Sequence, residues 1–374
     1  MELVTHALLG AGAALASRPA RSRLTTRQRL LLGAAAAAWP DIDFAAFPFD
    51  PLRFLADWHQ GPTHSLLLLP LWALLIAALF VAATRRRRAF GEAAAVAALG
   101  LATHVAADAV TAYGVMLWYP LSTQRFGLGA TFVIDLWIGA IALCGVLLGL
   151  RLRRRAPAAI ALGLVCGVFA AQAGLQQRAL AVGHASAQAQ GLAYQRLSAF
   201  AQPLSPLHWK LIASTATQHQ VAHLDLGGRG PWVPAWPGLR WLHALAGAYR
   251  PASALAWVPH QAVGPPQGRT PQGAAHGYPV ERLADPQGRH GLAELLWHDP
   301  RFAPFRRFAT HPALARVDAG AATDCVWFTD LRYDLPTLPE VFRYGFCRDG
   351  EHAPWLLYRL RYLSDHARQR LPRQ

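Results

Sequence analysis

Five short motifs in the chain hold imidazoles and carboxylates of the kinds that bind divalent metals and move protons. They are Thr5-His6, Asp41-Ile42-Asp43 after Pro40, His59-Gln60-Gly61-Pro62-Thr63-His64-Ser65, Thr103-His104 followed by Asp108, and the single Asp135. His104 and Asp108 stand at i and i+4, so they share one helix face. Imidazole with carboxylate is a ligand set used for zinc, manganese and iron. The chemistry it predicts is a water activated for attack on an ester or phosphoester. Asp41, Asp43, His64, His104 and Asp108 are the metal-ligand candidates, with His6 next, and they are enough for one or two ions, zinc ahead of manganese or iron. His59, on a Gly-Pro turn, and Asp43 are the catalytic candidates, for substrate contact or acid–base work. Thr63, Ser65 and Thr111 are candidates to hydrogen-bond the ligands.

Taken singly, each of these has a plainer explanation. His6 also suits a core or interface histidine. Asp41 and Asp43 after a proline suit a helix end, and Ser65 or Thr63 a helix cap. His104 with Asp108 suits a proton relay or a structural hydrogen bond, and Asp135 the start of a helix. The metal reading rests on their occurring together.

The elements that must position them are apolar. Of 374 residues 53% are hydrophobic and only 15% charged, yet the net charge is +15. A disordered chain is excluded by 13 Trp and 16 Phe. Four segments, about 64–83, 91–117, 131–150 and 156–177, approach the ~20 apolar residues needed to cross a bilayer. Two shorter ones, about 3–16 and 30–39, rise only ~21 and ~15 Å. The expected fold is therefore a membrane all-α bundle of about four full spans plus two short helices over 1–177. An α+β domain over 178–374 follows it. A soluble all-α protein with hydrophobic core helices is the weaker alternative.

Arginine placement predicts the orientation. Arg18, Arg21, Arg23, Arg27 and Arg29 join the first two segments, Arg85–Arg88 the next pair, and Arg151, Arg153, Arg154 and Arg155 the last pair. The loops between them, 40–63 and 118–130, hold only Arg53 and Arg125. Arginine-rich short loops stay cytoplasmic, which puts residues 178–374 on the extracytoplasmic side. Counting helix rise from the flanking arginines places His6 and Asp41 at ~18 Å, His104 and Asp135 at ~24 Å, Asp108 at ~30 Å and His64 at ~32 Å. All fall in the outer half of a ~30 Å core or at its outer edge.

The second half reads as water-facing. Cys325–Tyr333 and Trp355–Tyr362 alternate bulky and polar residues like strands, and the Gly-, Pro- and Gln-rich stretch 261–291 reads as a loop. Cys325 and Cys347 form a candidate disulfide in an oxidising compartment; Cys144 and Cys166 read as packing residues. Trp232, Trp236, Trp241 and Trp257 suit either a core or a membrane interface. The scattered histidines of this half, His208, His219, His223, His276 and His311 among them, read as surface residues.

The order Thr-His and Gly, Pro-Asp-Ile-Asp, His-Gln-Gly-Pro-Thr-His-Ser and His-Val-Ala-Ala-Asp-Ala-Val-Thr-Ala-Tyr-Gly resembles the bacterial membrane-bound metal-dependent hydrolase family over about residues 1–150. The resemblance implies a divalent-metal hydrolase in the cytoplasmic (inner) membrane, and supplies no substrate. That family more often has Arg where this chain has Gln60. Its members with a long C-terminal extension look similar here through Pro203–Trp209 and Phe328–Tyr333. A site at the outer membrane level suits an amphiphilic, lipid-like substrate. A proton-coupled or ion transporter, or a metal-clipped scaffold displaying the C-terminal domain, are the rivals. Nucleic acid is not an expected partner, because the arginines of the first half serve as topology anchors and lipid contacts.

Overall fold

The computed structural model describes residues 1–228, 230, 236–263, 286–320, 323–362 and 364–372. Contacts divide the chain into two compact units. One comprises 1–45, 57–177 and 200–206, the other 46–56, 178–199 and 207–374.

The first unit is helical. Helix α1 (Leu3–Ala16) starts where the Glu2 side chain accepts from the Thr5 and Val4 amides. Helix α2 (Thr26–Ala38) opens on a reciprocal capping box between Thr25 and Gln28. A 3₁₀ helix, Trp39–Ala46, continues from α2. After the one-turn α3 (Pro51–Arg53), which packs with the second unit, and a second 3₁₀ turn, Pro62–His64, come α4 (Leu69–Thr84), α5 (Phe90–Ala109), α6 (Leu136–Leu152) and α7 (Ala156–Ala189), whose last turns run into the second unit.

Close approach of α1, α2 and α5 depends on three glycines. A Cβ on Gly10 would lie 2.2 Å from the Gly33 carbonyl oxygen, and one on Gly100 would lie 2.7 Å from the same atom. Small residues let helix backbones meet in apolar surroundings, where no hydrophobic force drives helices together. Along α5 the buried residues Ala93, Val96, Ala97, Gly100, Leu101, His104 and Asp108 recur at helical spacing. His104 and Asp108 are thus the last polar members of an apolar stripe.

Among the described residues two helices are long and apolar enough to cross a membrane, Arg87–Ala109 and Ala156–Ala189, or three if the pair Pro51–His64 and Leu69–Thr84, bent by 71°, is one span. This corrects the expectation of four. Segment 91–117 stops being helical at Ala109, and α6 begins only at its Asp135 cap, leaving 17 residues. At 1.5 Å per residue α6 is about 25 Å long, short of a ~30 Å core.

The arginine loops hold one further surprise. Arg29 is buried: its guanidinium donates to Glu92, to the Ala14 carbonyl (3.0 Å) and to Ser17 (3.0 Å), tying the ends of α1 and α2 to the start of α5. It is a packing residue as well as a charge at a loop.

The second unit is α+β, with two antiparallel sheets. The first has the order β1 (Arg196–Ala201), β2 (His208–Ser214), β3 (Gln218–Asp225), β4 (Val258–Gln261). The second is a meander of β5 (Pro312–Ala319), β6 (Asp324–Asp330), β7 (Tyr344–Arg348), β8 (Leu356–Leu360) and β9 (Arg368–Arg370). Helix α8 (Arg240–Gly247) and two later helices, Pro286–Trp297 and Ala303–Phe308, complete it. Trp297, Phe302, Phe305, Phe308, Phe328 and Phe346 form its aromatic core.

The two expected strands are present as β6 and β8, but the alternation in β6 does not expose one face. Every residue of β6 is buried. Its polar side chains find partners inside: Asp324 accepts from Arg348 through Oδ2, Thr329 donates to Asp334, and Asp330 accepts from Arg332. Cys325 and Cys347 stand opposite each other on β6 and β7 and are joined by a disulfide.

His208, His219 and His311 are interior residues, against the surface expectation. His208 stacks on Tyr249, His219 donates to the Pro312 carbonyl (3.1 Å), and His311 meets Arg196 and Ser198. Of the tryptophans, Trp236 and Trp241 are exposed, and the Trp257 indole donates to Ser186. Trp232, His276 and residues 264–285 of the expected loop lie outside the described residues.

Candidate metal centre

Four side chains converge in the first unit. Asp41 projects from the 3₁₀ helix that follows α2, His64 ends the 3₁₀ turn before α4, and His104 and Asp108 occupy adjacent turns of α5. One donor atom from each lies within 4.8 Å of the other three. His64 Nε2 is 2.9 Å from His104 Nε2, and Asp108 Oδ2 is 3.3 and 3.2 Å from the two. Asp41 Oδ1 stands a little further out, at 3.9 and 3.7 Å from the same nitrogens. Tetrahedral donors about 2.0 Å from one ion would be roughly 3.3 Å apart. The observed spacings bracket that value.

The hydrogen bonds behind the donors fix which atoms face inward. Nδ1 of His104 donates to the Ala37 carbonyl (2.6 Å), an acceptor in the last turn of α2, where helices leave carbonyls unpaired. With its proton on Nδ1, His64 donates to the Thr63 hydroxyl (3.0 Å), which donates in turn to Asp43 Oδ2 (3.4 Å). His104 therefore presents an unprotonated Nε2, and in that tautomer His64 does the same. Two lone pairs aimed at each other across 2.9 Å, with two carboxylates beside them, repel unless a cation lies between. The residues fit a divalent metal on that ground.

The second oxygen of Asp108, Oδ1, faces His6 Nε2 at 3.1 Å and meets the Met1 amine. The His6 ring stacks on His104 with centroids 3.6 Å apart, and its Nδ1 is buried without a partner among the described residues. Gln60 donates its side-chain amide to Asp108 Oδ2 (2.9 Å) and its backbone N–H to Asp43 Oδ2 (3.1 Å). Asp43 accepts from His59 Nδ1 at 3.2 Å through both oxygens. His59 is buried and packs edge-on against Phe44 and Tyr113. It lies inside the folded unit rather than on its surface.

His6 thus bonds the donor Asp108 directly, Asp43 reaches the four-donor set through Thr63 and Gln60, and His59 through Asp43. Thr63 is the hydroxyl that touches a donor imidazole. Thr111 bonds the backbone carbonyl of Asp108 (2.8 Å), and Ser65 bonds the carbonyls of Leu117 and Tyr119. Asp135 is elsewhere. It caps α6 by accepting from the Trp137 and Ile138 amides and also accepts from Gln172.

The sequence marked Arg29 only as a loop charge and did not single out Glu92, its partner in an ion pair that holds the far ends of the same helices. Their signal is a lone acid four residues after the Arg85–Arg88 clump.

Residues 1–179 match a family model described as YdjM inner membrane protein. No curated protein and no solved structure matches the chain. The first half of the protein is therefore similar to a bacterial inner-membrane family, in agreement with its apolar helices, and it carries a buried Asp/His/His/Asp cluster that could hold a metal ion.

Proposed function

We propose that the protein is a metal-dependent hydrolase of the inner membrane that cleaves an ester or phosphoester of an amphiphilic, lipid-like substrate. The supporting observation is the paired, inward-facing Nε2 atoms of His64 and His104 with Asp108 beside them. When bound, a divalent ion lowers the pKa of a water toward neutrality and polarises the bond to be cut. Zinc suits the nitrogen and oxygen donors best, ahead of manganese and iron.

The residues divide the work. His64, His104 and Asp108 are the tight donors and Asp41 the looser one. Asp41 is also the most exposed of the four, its side chain 16% accessible against 0–1% for the others. Water and substrate enter on its side in this reading. Asp43 holds His59 by Nδ1, the tautomer in which Nε2 can take or give a proton. Gln60 and His6 steady the two oxygens of Asp108. In this reading the arginine-rich loops stay cytoplasmic, the reaction lies at the outer membrane level, and the second unit is extracytoplasmic and recruits the substrate.

Metal analysis of the purified protein, beside Asp108→Asn and His64→Ala, tests the centre. Loss of metal from both variants is expected, and unchanged content in both would reject it. A screen of lipid esters and phosphates, with His59→Gln retaining metal but losing turnover, tests the reaction. A second reading is favoured by the burial itself, because closed four-donor sites are structural. In that case the metal clips α2, the 62–64 turn and α5 together, and metal removal unfolds the unit with no turnover to lose.

A further inference from the structure

The tryptophan-rich stretch of the second unit is not absorbed by the metal centre. Between Asp225 and Glu281 the sequence contains no acidic residue, while it carries Arg229, Arg240, Arg250 and Arg269 and four tryptophans. Elsewhere in this half acids and arginines are interspersed.

The described part of the stretch shows how these residues are presented. Helix α8 turns Leu245 and Ala246 inward, and just beyond it Tyr249 is buried against His208. On the outside stand Trp241, 55% exposed, and Trp236, 66% exposed, at the 3₁₀ turn that leads into the helix. Arg240 lies between them in sequence and is exposed, as is Arg250. Neither arginine makes an ion pair among the described residues. Large exposed indoles flanked by unpaired guanidinium groups, with no carboxylate in the surrounding sequence, match the amphipathic and electropositive character of the lipid headgroup region.

We propose that this exposed stretch, Trp236 and Trp241 with Arg240 and Arg250, binds the headgroup layer of an anionic phospholipid bilayer. The indoles lie at the boundary between headgroups and acyl chains, and the guanidinium groups meet lipid phosphates. A weak interfacial affinity suffices, because the same chain carries helices able to cross a membrane, and tethering raises the effective concentration of lipid at the stretch. The inference is independent of any metal or reaction.

The test uses the full chain in nanodiscs of phosphatidylglycerol and phosphatidylcholine, with the free Cys144 and Cys166 replaced by alanine. An environment-sensitive label is placed in turn at Trp236→Cys, Trp241→Cys and, as control, the exposed acidic turn position Glu351→Cys. Lipids carrying a nitroxide near the headgroup should quench the labels at 236 and 241 at least twofold more than the label at 351. Arg240→Glu with Arg250→Glu should reduce that quenching at least twofold. Equal quenching at all three positions overturns the proposal, as does quenching indifferent to the charge reversal. A blue-shifted but unquenched label at 236 or 241 also overturns it, by showing a protein contact such as a second copy. The substituted tryptophans are exposed, so an intact Cys325–Cys347 bridge and an unchanged elution volume are expected in every variant.

Discussion

Thr63→Val is the sharpest perturbation of the centre, because it leaves every metal-donor atom in place. With the proton on Nδ1, His64 donates to Thr63 at 3.0 Å, and the Thr63 hydroxyl donates a hydrogen bond to Asp43 at 3.4 Å. Valine keeps the shape and loses both bonds, so nothing selects the tautomer that turns an unprotonated Nε2 toward His104. Partners behind metal ligands typically contribute 10- to 100-fold in metal affinity, or about 1.4–2.7 kcal/mol. The cost to folding should be smaller, about 0.5–1.5 kcal/mol for one hydrogen bond. A chromophoric chelator competing for zinc with the purified protein measures the affinity, and thermal unfolding in detergent measures the fold. Ser65→Ala is the matched control: its hydroxyl, two residues on, bonds only backbone atoms of residues 67, 68, 117 and 119. Affinity should fall at least tenfold in Thr63→Val and less than threefold in Ser65→Ala. Equal losses, or none in Thr63→Val, would refute the tautomer argument.

Gly33→Leu should abolish the assembled first unit, since even a Cβ there would sit 2.5 Å from the Gly10 carbonyl oxygen; Gly91→Ala, with nothing within 4 Å, should match wild type in thermal unfolding. Burial lowers the His223 and His311 pKa values to about 3. The unfolded chain takes up these protons near 6.5 and the folded one only near 3, so their contribution to stability falls as pH drops through that window. Asp334, raised by burial to about 7, works the other way. At pH 4.5 each histidine accounts for about 2–3 kcal/mol, and His223→Gln should flatten the acid limb of the unfolding-versus-pH curve by about that amount; an unchanged slope contradicts it. Under denaturing, non-reducing conditions two thiols, Cys144 and Cys166, should react with maleimide, rising to four after reduction.

What could be read from the sequence depended on whether local geometry was regular. His104 and Asp108 share a face because a helix fixes the i, i+4 relation, and the structure keeps them on one stripe of α5. His64 and Asp41 sit on 3₁₀ turns. Counting 1.5 Å per residue separated His64 from His6 by about 14 Å, yet only Asp108 stands between them. The break at residues 65–68, before α4 begins at Leu69, removes the rise that the count assumed. Composition likewise made 131–150 look like a full span, because a cap such as Asp135, which shortens the helix, weighs no more than any other acid in a hydropathy window. Burial on both faces of β6 was hidden for a related reason. Its polar residues have partners far away in sequence, such as Arg348 for Asp324.

The excursion at residues 46–56 bears on how the protein can be taken apart. These residues lie in the sequence between Asp43 and His59, yet they pack as part of the second unit, where Phe47 stacks on Tyr362 beneath the Arg359 guanidinium. No single cut after residue 177 separates two finished pieces. Truncation there would strip Phe47 of its partners and free the strand of chain whose ends carry the His59–Asp43 pair. Substitution of Tyr362 or Arg359 would instead loosen the packing of Phe47, and with it the 46–56 segment, while leaving the chain whole.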